Sequence, residues 1–177
     1  MNERTADTGL VGMWIFLGST TVLFAALTFS YAMLRVQGPP WSAVLPVGRA
    51  LVSTAVLVGS SALLSAGQGR LARAQPGGAA CLAGALAAGL AFLVLQVLLL
   101  LAFRPAGGGL ARSVVLLLAG VHAAHVIAGL LALAVASAPF FVRPPAARAL
   151  TRLRLTAMFW HFVDLCWIAL FVALFIL

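Results

Sequence analysis

The sequence has few charged residues and no lysine. Charged side chains make up 8% of the 177 residues, whereas soluble domains carry roughly a quarter. Three acidic residues and eleven arginines cannot cover a globular core of this length with polar surface. The composition therefore excludes a water-soluble fold and favours a protein whose main solvent is lipid.

Cysteine is also scarce. Cys81 and Cys166 lie in apolar stretches and have no CxxC spacing, so neither a disulfide scaffold nor a zinc site is expected. The net charge of +8 does not predict a nucleic-acid partner. The arginines are scattered through short connecting segments and form no run that could follow a phosphate backbone.

Long apolar runs dominate the chain, because 64% of the residues are hydrophobic. Proline- and glycine-rich breaks separate the runs at Gly38-Pro39-Pro40, Pro76-Gly77-Gly78, Pro105 with Gly107 to Gly109, and Pro139 with Pro144-Pro145. The runs cover residues 10–34, 50–66, 79–103, 113–138 and 155–177. Most reach the roughly 20 residues that a membrane-crossing helix needs, and unbroken apolar runs do not fit barrel strands. The sequence predicts one all-α domain, a bundle of five transmembrane helices over residues 1–177.

Arginine distribution predicts the orientation of the bundle. One side of the membrane would hold Arg4, Arg70, Arg73, Arg143, Arg148, Arg152 and Arg154, and the other Arg35, Arg49, Arg104 and Arg112. Because cytoplasmic segments carry the excess of positive charge, the amino terminus is predicted inside and the carboxyl terminus outside.

Five polar side chains inside the spans are candidates for function, since such groups are costly in lipid. They are Gln96 in the third span, His122 and His125 in the fourth, and His161 and Asp164 in the fifth. Each pair is spaced i, i+3 and so shares a helix face. Asp164 must point inward, either as a hydrogen-bond clamp or as a group that handles protons or a lipid headgroup. We expect the five residues to form an internal polar cluster that fixes the fourth and fifth helices.

A haem held by two of the histidines is disfavoured by depth. At about 1.5 Å per residue, His125 lies about 20 Å from the inner end of its span, whereas His161 lies about 9 Å from the inner end of its own. Axial ligands of one haem should lie at similar depth. No metal site is therefore predicted in this chain.

Two further patterns suggest surfaces. Gly120, Ala124 and Ala128 recur every four residues on the fourth helix and predict a seam for close helix packing, although an alanine-rich composition also produces such stripes. Trp14 and Trp160 lie near inner span ends, where indoles contact lipid headgroups or form an ordinary aromatic belt. With Arg35, they are the candidate lipid contacts.

Several segments resemble the short, five-helix form of haem-copper oxidase subunit III. They are Gly12-Met13-Trp14-Ile15-Phe16-Leu17-Gly18-Ser19 with Phe24, Tyr31 and Arg35; Phe92-Leu93 with Gln96; Gly120-Val121-His122-Ala123-Ala124-His125-Val126-Ile127-Ala128-Gly129; and Trp160-His161-Phe162-Val163-Asp164-Leu165-Cys166-Trp167-Ile168. The last segment is similar to that family's final-helix motif almost residue for residue.

The sequence departs from that family at intramembrane carboxylates. The family usually carries a glutamate where this chain has Thr20, and a second one at the position of Leu99. Aromatic and threonine residues are expected before Gly120, where this chain has Val115, Leu116 and Ala119. The resemblance therefore does not extend to any role of those carboxylates in proton uptake.

The resemblance implies an accessory subunit without a catalytic or redox centre. Such a subunit packs chiefly beside subunit I, with subunits II and IV as further partners, and holds phospholipid in the bacterial inner membrane. Haem and copper would belong to partner subunits that reduce dioxygen to water and pump protons. Three alternatives remain: an accessory subunit of a nitric oxide reductase, a haem-bearing membrane anchor, and a small proton or solute carrier.

Overall fold

The described part of the chain folds into five long α-helices and one short 3-10 helix. The structure, a computed structural model, describes residues 3–37, 47–102, 110–142 and 147–175, with side chains described for all of these except residues 3–7, 102 and 110–112. The elements are α1 (Glu3–Gln37), α2 (Val47–Ala72), α3 (Gly78–Ala102), α4 (Leu110–Ser137), the 3-10 helix (Ala138–Phe141) and α5 (Ala147–Phe175). Each α-helix is long and apolar enough to cross a membrane. The predicted all-α membrane bundle is confirmed.

Several helices extend beyond the predicted spans, and the first already begins at Glu3 rather than at residue 10. The second helix continues to Ala72 rather than ending at residue 66, and the fifth begins at Ala147 rather than at residue 155. Helix α2 continues through Gly67, where α3 packs closely. A Cβ added at Gly67 would lie 3.0 Å from a Leu82 methyl group of α3. The early turns of α5 carry arginines, whose long side chains can reach out of the apolar zone. The breaks predicted at 38–40, 105–109 and 144–145 lie outside the described residues.

A tight turn joins α2 to α3. The Gln75 amide donates to the Arg70 carbonyl at 2.8 Å, and the Ala74 amide donates to the Leu71 carbonyl at 3.2 Å. This pair of bonds is the Schellman arrangement that satisfies the last carbonyls of a helix. It places Ala74 at φ 52°, and Gly77 follows at φ 83°. The predicted break at residues 76–78 is thus a helix cap followed directly by α3.

Helix α5 lies at the centre of the bundle and packs against α1, α2 and α4. It runs parallel to α1, since the rings of Phe16 and Phe159 are 5.4 Å apart and Gly9 lies beside Leu155. It runs antiparallel to α2 and α4, while α2 and α3 form an antiparallel pair. In that pair the Ser60 hydroxyl donates to the Ala85 carbonyl at 2.8 Å.

Trp160 of α5 is held between two glycines of neighbouring helices. Its side chain is 0% exposed. A Cβ added at Gly89 of α3 would lie 2.9 Å from the indole, and one added at Gly129 of α4 would lie 3.0 Å from it. Glycine at both positions therefore allows α3 and α4 to approach the largest side chain of the core.

Gly89→Ala and Gly129→Ala should each destabilise the bundle by about 1 to 3 kcal/mol, because overpacking forces the indole or a helix to shift. Cys166 is buried, so thermal unfolding can be followed by its labelling with a thiol-reactive dye. The label is read on the gel band of this chain in the membrane-embedded protein, and all variants carry Cys81→Ala because Cys81 is a second free thiol that is partly exposed.

Gly59→Ala is the matched control, since an added Cβ at Gly59 meets nothing within 4 Å. We expect its labelling midpoint to equal that of the wild type. Equal midpoints for all three variants would contradict the packing role of Gly89 and Gly129.

Candidate functional site

Polar side chains meet along the contact between α2 and α5, which we call the α2–α5 polar interface. Its members on α2 are Thr54, Ser61, Ser65 and Gln68, and on α5 they are His161, Asp164 and Trp167 with the Leu153 carbonyl. The α2 residues are spaced by three, four or seven positions, which places them on one helix face. The hydrogen bonds of these residues show that this face lies against α5.

The centre of this interface is a continuous chain of hydrogen bonds. The Ser61 hydroxyl donates to Oδ2 of Asp164, and it also contacts Nδ1 of His161 at 2.9 Å. A hydroxyl has one proton to donate, so Nδ1 of His161 must donate to Ser61. Nε2 of that tautomer is then an acceptor for the Ser65 hydroxyl at 3.3 Å. The donors run in one direction and end on the carboxylate.

Two more bonds extend the interface toward both ends of the helices. The Trp167 indole donates to the Thr54 hydroxyl at 2.9 Å, and the Gln68 amide donates to the Leu153 carbonyl at 3.0 Å. In lipid, where water does not compete for polar groups, such bonds hold neighbouring helices in one register. Chemically the interface is therefore a clamp between α2 and α5.

The other three predicted polar residues lie apart from this clamp. Gln96 donates to the Ser53 hydroxyl at 3.2 Å and so links α3 to α2. Nδ1 of His125 donates to the Val121 carbonyl of its own helix at 2.8 Å. His122 is 2% exposed and has aromatic neighbours on three helices. The structure brings together His161 and Asp164 but places the α4 histidines elsewhere, so the single cluster expected from the sequence is divided.

The depth difference expected between His125 and His161 is wrong. Gly129 lies against Trp160, and the rings of His122 and Trp167 are 5.5 Å apart. By this register His161 lies level with Ala128, one turn from His125, a difference of about 5 Å at about 1.5 Å per residue. The error arose because α5 begins earlier than predicted. What separates the two histidines is direction, because His161 faces α2 whereas His125 packs on Phe24 of α1.

In the described part of the chain no group of three or more histidine, cysteine, aspartate or glutamate side chains could hold a metal ion. Cys81 and Cys166 are free thiols. At the first family glutamate position, Thr20 is buried and donates to the Phe16 carbonyl of its own helix at 2.9 Å. The second position, Leu99, is a buried apolar side chain.

The candidate lipid contacts do not form one site. Trp160 is enclosed in the core, so it has no surface to offer a headgroup, whereas Trp14 is 61% exposed. Arg35 donates to the Tyr31 hydroxyl at 2.9 Å near the other end of α1. Because a helix rises about 1.5 Å per residue, Trp14 and Arg35 lie roughly 30 Å apart.

The small-residue ridge of α4 faces outward. Ala124 and Ala128 are exposed, and a Cβ added at Gly120 would meet nothing within 4 Å. None of the described helices of this chain packs closely on that ridge. A close approach there would involve a neighbouring protein.

Sequence reasoning missed the hydroxyl partners on α2. A signal was present: Ser53 and Thr54, Ser60 and Ser61, and Gly67 and Gln68 recur at seven-residue spacing, and α2 has the lowest mean hydropathy of the five spans. A polar stripe at helical spacing in a span indicates a face turned toward another helix.

Asp164→Ala and Ser61→Ala should each lower the stability of the bundle by about 1 to 2 kcal/mol, since each removes one end of an interhelical hydrogen bond. Asp164→Asn should cost less because its side-chain oxygen still accepts from Ser61. The midpoint of Cys166 labelling on heating measures the differences.

Ser137→Ala is the matched control, because the buried Ser137 hydroxyl has no partner in the described chain. It should leave the midpoint unchanged or raise it. A midpoint for Asp164→Ala as high as that of Ser137→Ala would show that the clamp contributes nothing.

Comparison with known proteins identifies the family. The family model described as cytochrome c oxidase subunit III matches residues 3–177. A protein of Pseudomonas aeruginosa named cytochrome bo(3) ubiquinol oxidase subunit 3 is 33% identical over 188 residues, covering 99% of this chain and 90% of the relative. A protein of Pseudomonas putida with the same name is 29% identical over 181 residues, covering 95% of this chain and 85% of that relative. The chain therefore belongs to the cytochrome c oxidase subunit III family, whose members are multi-pass accessory subunits of multi-subunit haem-copper oxidases.

Proposed function

We propose that this chain is a non-catalytic subunit of a bacterial respiratory terminal oxidase, which stabilises subunit I and binds phospholipid in the inner membrane. The observation that carries the proposal is the family match over residues 3–177. It is supported by the contacts of residues 160–168, the segment that is most similar to the family. Within that motif, His161 and Asp164 bind the hydroxyl groups of α2. The polar groups of that motif thus support the scaffold, and dioxygen reduction belongs to partner subunits that hold haem and copper.

The electron donor of the complex is proposed to be a quinol. The support is the printed name of the two bacterial relatives, both ubiquinol oxidase subunits. Subunit I is the chief proposed partner, with subunits II and IV as further neighbours.

The amino terminus is proposed to lie on the cytoplasmic side. The support is the arginine excess of seven against four on that side. Arg70, Arg148 and Arg152 lie at one end of the bundle, because the end of α2 and the start of α5 are adjacent. A reporter joined after Leu177 that proved cytoplasmic would contradict this orientation.

A groove between α4 and α5 is a better candidate for a lipid site than Trp160, because Trp160 is enclosed in the core. It has an open volume of about 670 Å³, within the range of ligand sites. Arg148 and Arg152 line it one turn apart, and below them its walls include Leu131, Val135 and Leu155. Two guanidinium groups above an apolar wall match an anionic phospholipid, whose phosphate pairs with arginine while an acyl chain covers the wall.

Replacing Arg148 and Arg152 together with Gln should reduce the anionic phospholipid that co-purifies with the complex, because the phosphate loses both cations. Native mass spectrometry or lipid extraction measures the ratio of lipid to this chain. Arg154→Gln is the control, since Arg154 lines a different groove on the α2 side of the same helix. Equal lipid retention in both variants would remove the groove as a lipid site while leaving the scaffold role intact.

Purification of the intact complex through a tag on this chain tests the scaffold role. We expect the chain to recover a subunit I that contains haem and copper. In complex purified through subunit I instead, Asp164→Ala should lower the amount of this chain per haem without shifting the haem spectrum, because the clamp lies within the bundle.

Other recovered chains or cofactors would overturn the proposal. Non-haem iron beside haem in the partner would indicate a nitric oxide reductase. Stoichiometric haem on this chain when purified alone would indicate an electron-carrying anchor.

A further inference from the structure

His122 is a buried polar group without a protein partner. It is 2% exposed, and neither Nδ1 nor Nε2 has a hydrogen-bond partner in the part of the chain that the structure describes. A neutral imidazole offers one N–H donor and one lone pair. In a membrane interior both are costly when unsatisfied, because no bulk water reaches them.

Aromatic rings hold His122 in this position. The ring centroids of Phe24 and Phe92 lie 6.1 and 6.2 Å from that of His122, both at steep angles. The Trp167 ring lies 5.5 Å away and is tilted by 32°. Trp167 gives its own N–H to Thr54, so it provides no hydrogen bond to the imidazole. The rings restrict the imidazole without satisfying it.

His122 lines a crevice between α3 and α4 that is bounded by α5. The crevice has a volume of about 60 Å³. Its walls are almost entirely apolar, and Gln96 of α3 is the second polar side chain that lines it. A water molecule needs roughly 10 to 15 Å³ measured in this way, so a few water molecules fit, whereas an aromatic headgroup does not.

Three of the five departures of this chain from the expected family pattern line the same crevice. They are Leu99, where a glutamate is expected, and Val115 and Ala119, which stand where aromatic and threonine residues are expected. Leu99 lies one turn beyond Gln96 on α3. No carboxylate lines the crevice among the described residues, and the small side chains leave space beside His122.

We propose that ordered water molecules bind in this crevice, hydrogen-bond to His122 and bridge it toward Gln96. The water occupies the place that a carboxylate at position 99 would fill. The buried imidazole then has the donor and acceptor partners that the protein does not supply. The site shares the Trp167 ring with the α2–α5 polar interface, but neither His122 nor Gln96 belongs to that interface or to the arginine-lined groove.

The direct test is an electron cryo-microscopy map of the intact complex at a resolution that shows water, about 2 Å. We expect compact density within hydrogen-bond distance, about 2.6 to 3.2 Å, of a ring nitrogen of His122, and its loss in His122→Phe. Elongated density of an acyl chain, ring-shaped density of a lipid-soluble headgroup, or no density at that distance would each overturn the proposal.

A double-mutant comparison gives a second readout that does not need the map. The glutamate of Leu99→Glu should displace the water and pair with His122. In His122→Phe it has no such partner. Leu99→Glu should therefore lower the Cys166-labelling midpoint less in the wild-type background than in the His122→Phe background. Leu98→Glu is the control, since Leu98 is 55% exposed and is not among the crevice residues; its shift should be the same in both backgrounds. Equal shifts for Leu99→Glu in the two backgrounds would show that position 99 and His122 do not share a site.

Discussion

The hydrogen bond from the Ser61 hydroxyl to the Asp164 carboxylate is the constraint on which the arrangement of α2 and α5 depends. A carboxylate in a lipid-embedded bundle is tolerated only where donors reach it. Because Ser61 gives its proton to Asp164, it fixes the tautomer of His161, which in turn accepts from Ser65. One acidic side chain thus sets the direction of three hydrogen bonds and the register of two helices.

Shape supplies the second constraint, on the other side of α5. The Trp160 indole fits between Gly89 and Gly129, so contact with this side chain positions α3 and α4 against α5. In lipid, association between apolar helices depends on close packing because lipid tails are as apolar as leucine. The two sides of α5 are therefore held by different interactions. Hydrogen bonds join α5 to α2, and close van der Waals contact joins it to α3 and α4.

The sequence was sufficient for the number and approximate position of the helices, because hydropathy and the breaks at proline and glycine depend on local composition. It was also sufficient to predict that Asp164 points inward. It did not show which helix each polar group faces. Apart from the polar stripe of α2, the helices are apolar around most of their circumference, so no amphipathic pattern determines the rotation of the other four. The separation of His122 from Asp164 follows from rotations that only packing sets, and the early start of α5 follows from arginines tolerated at the membrane boundary.

The central position of α5 has a consequence for biosynthesis. Its bonds to α2 join residues 100, 103 and 113 positions apart, so these contacts cannot form until α5 has been translated. During insertion, the hydroxyls of α2 and the glycine surfaces of α3 and α4 are present in the bilayer before their common partner arrives. Long-range contacts of this kind form late. Completion of the bundle is therefore coupled to integration of α5, and a nascent chain that stops short of α5 has its polar stripe facing lipid.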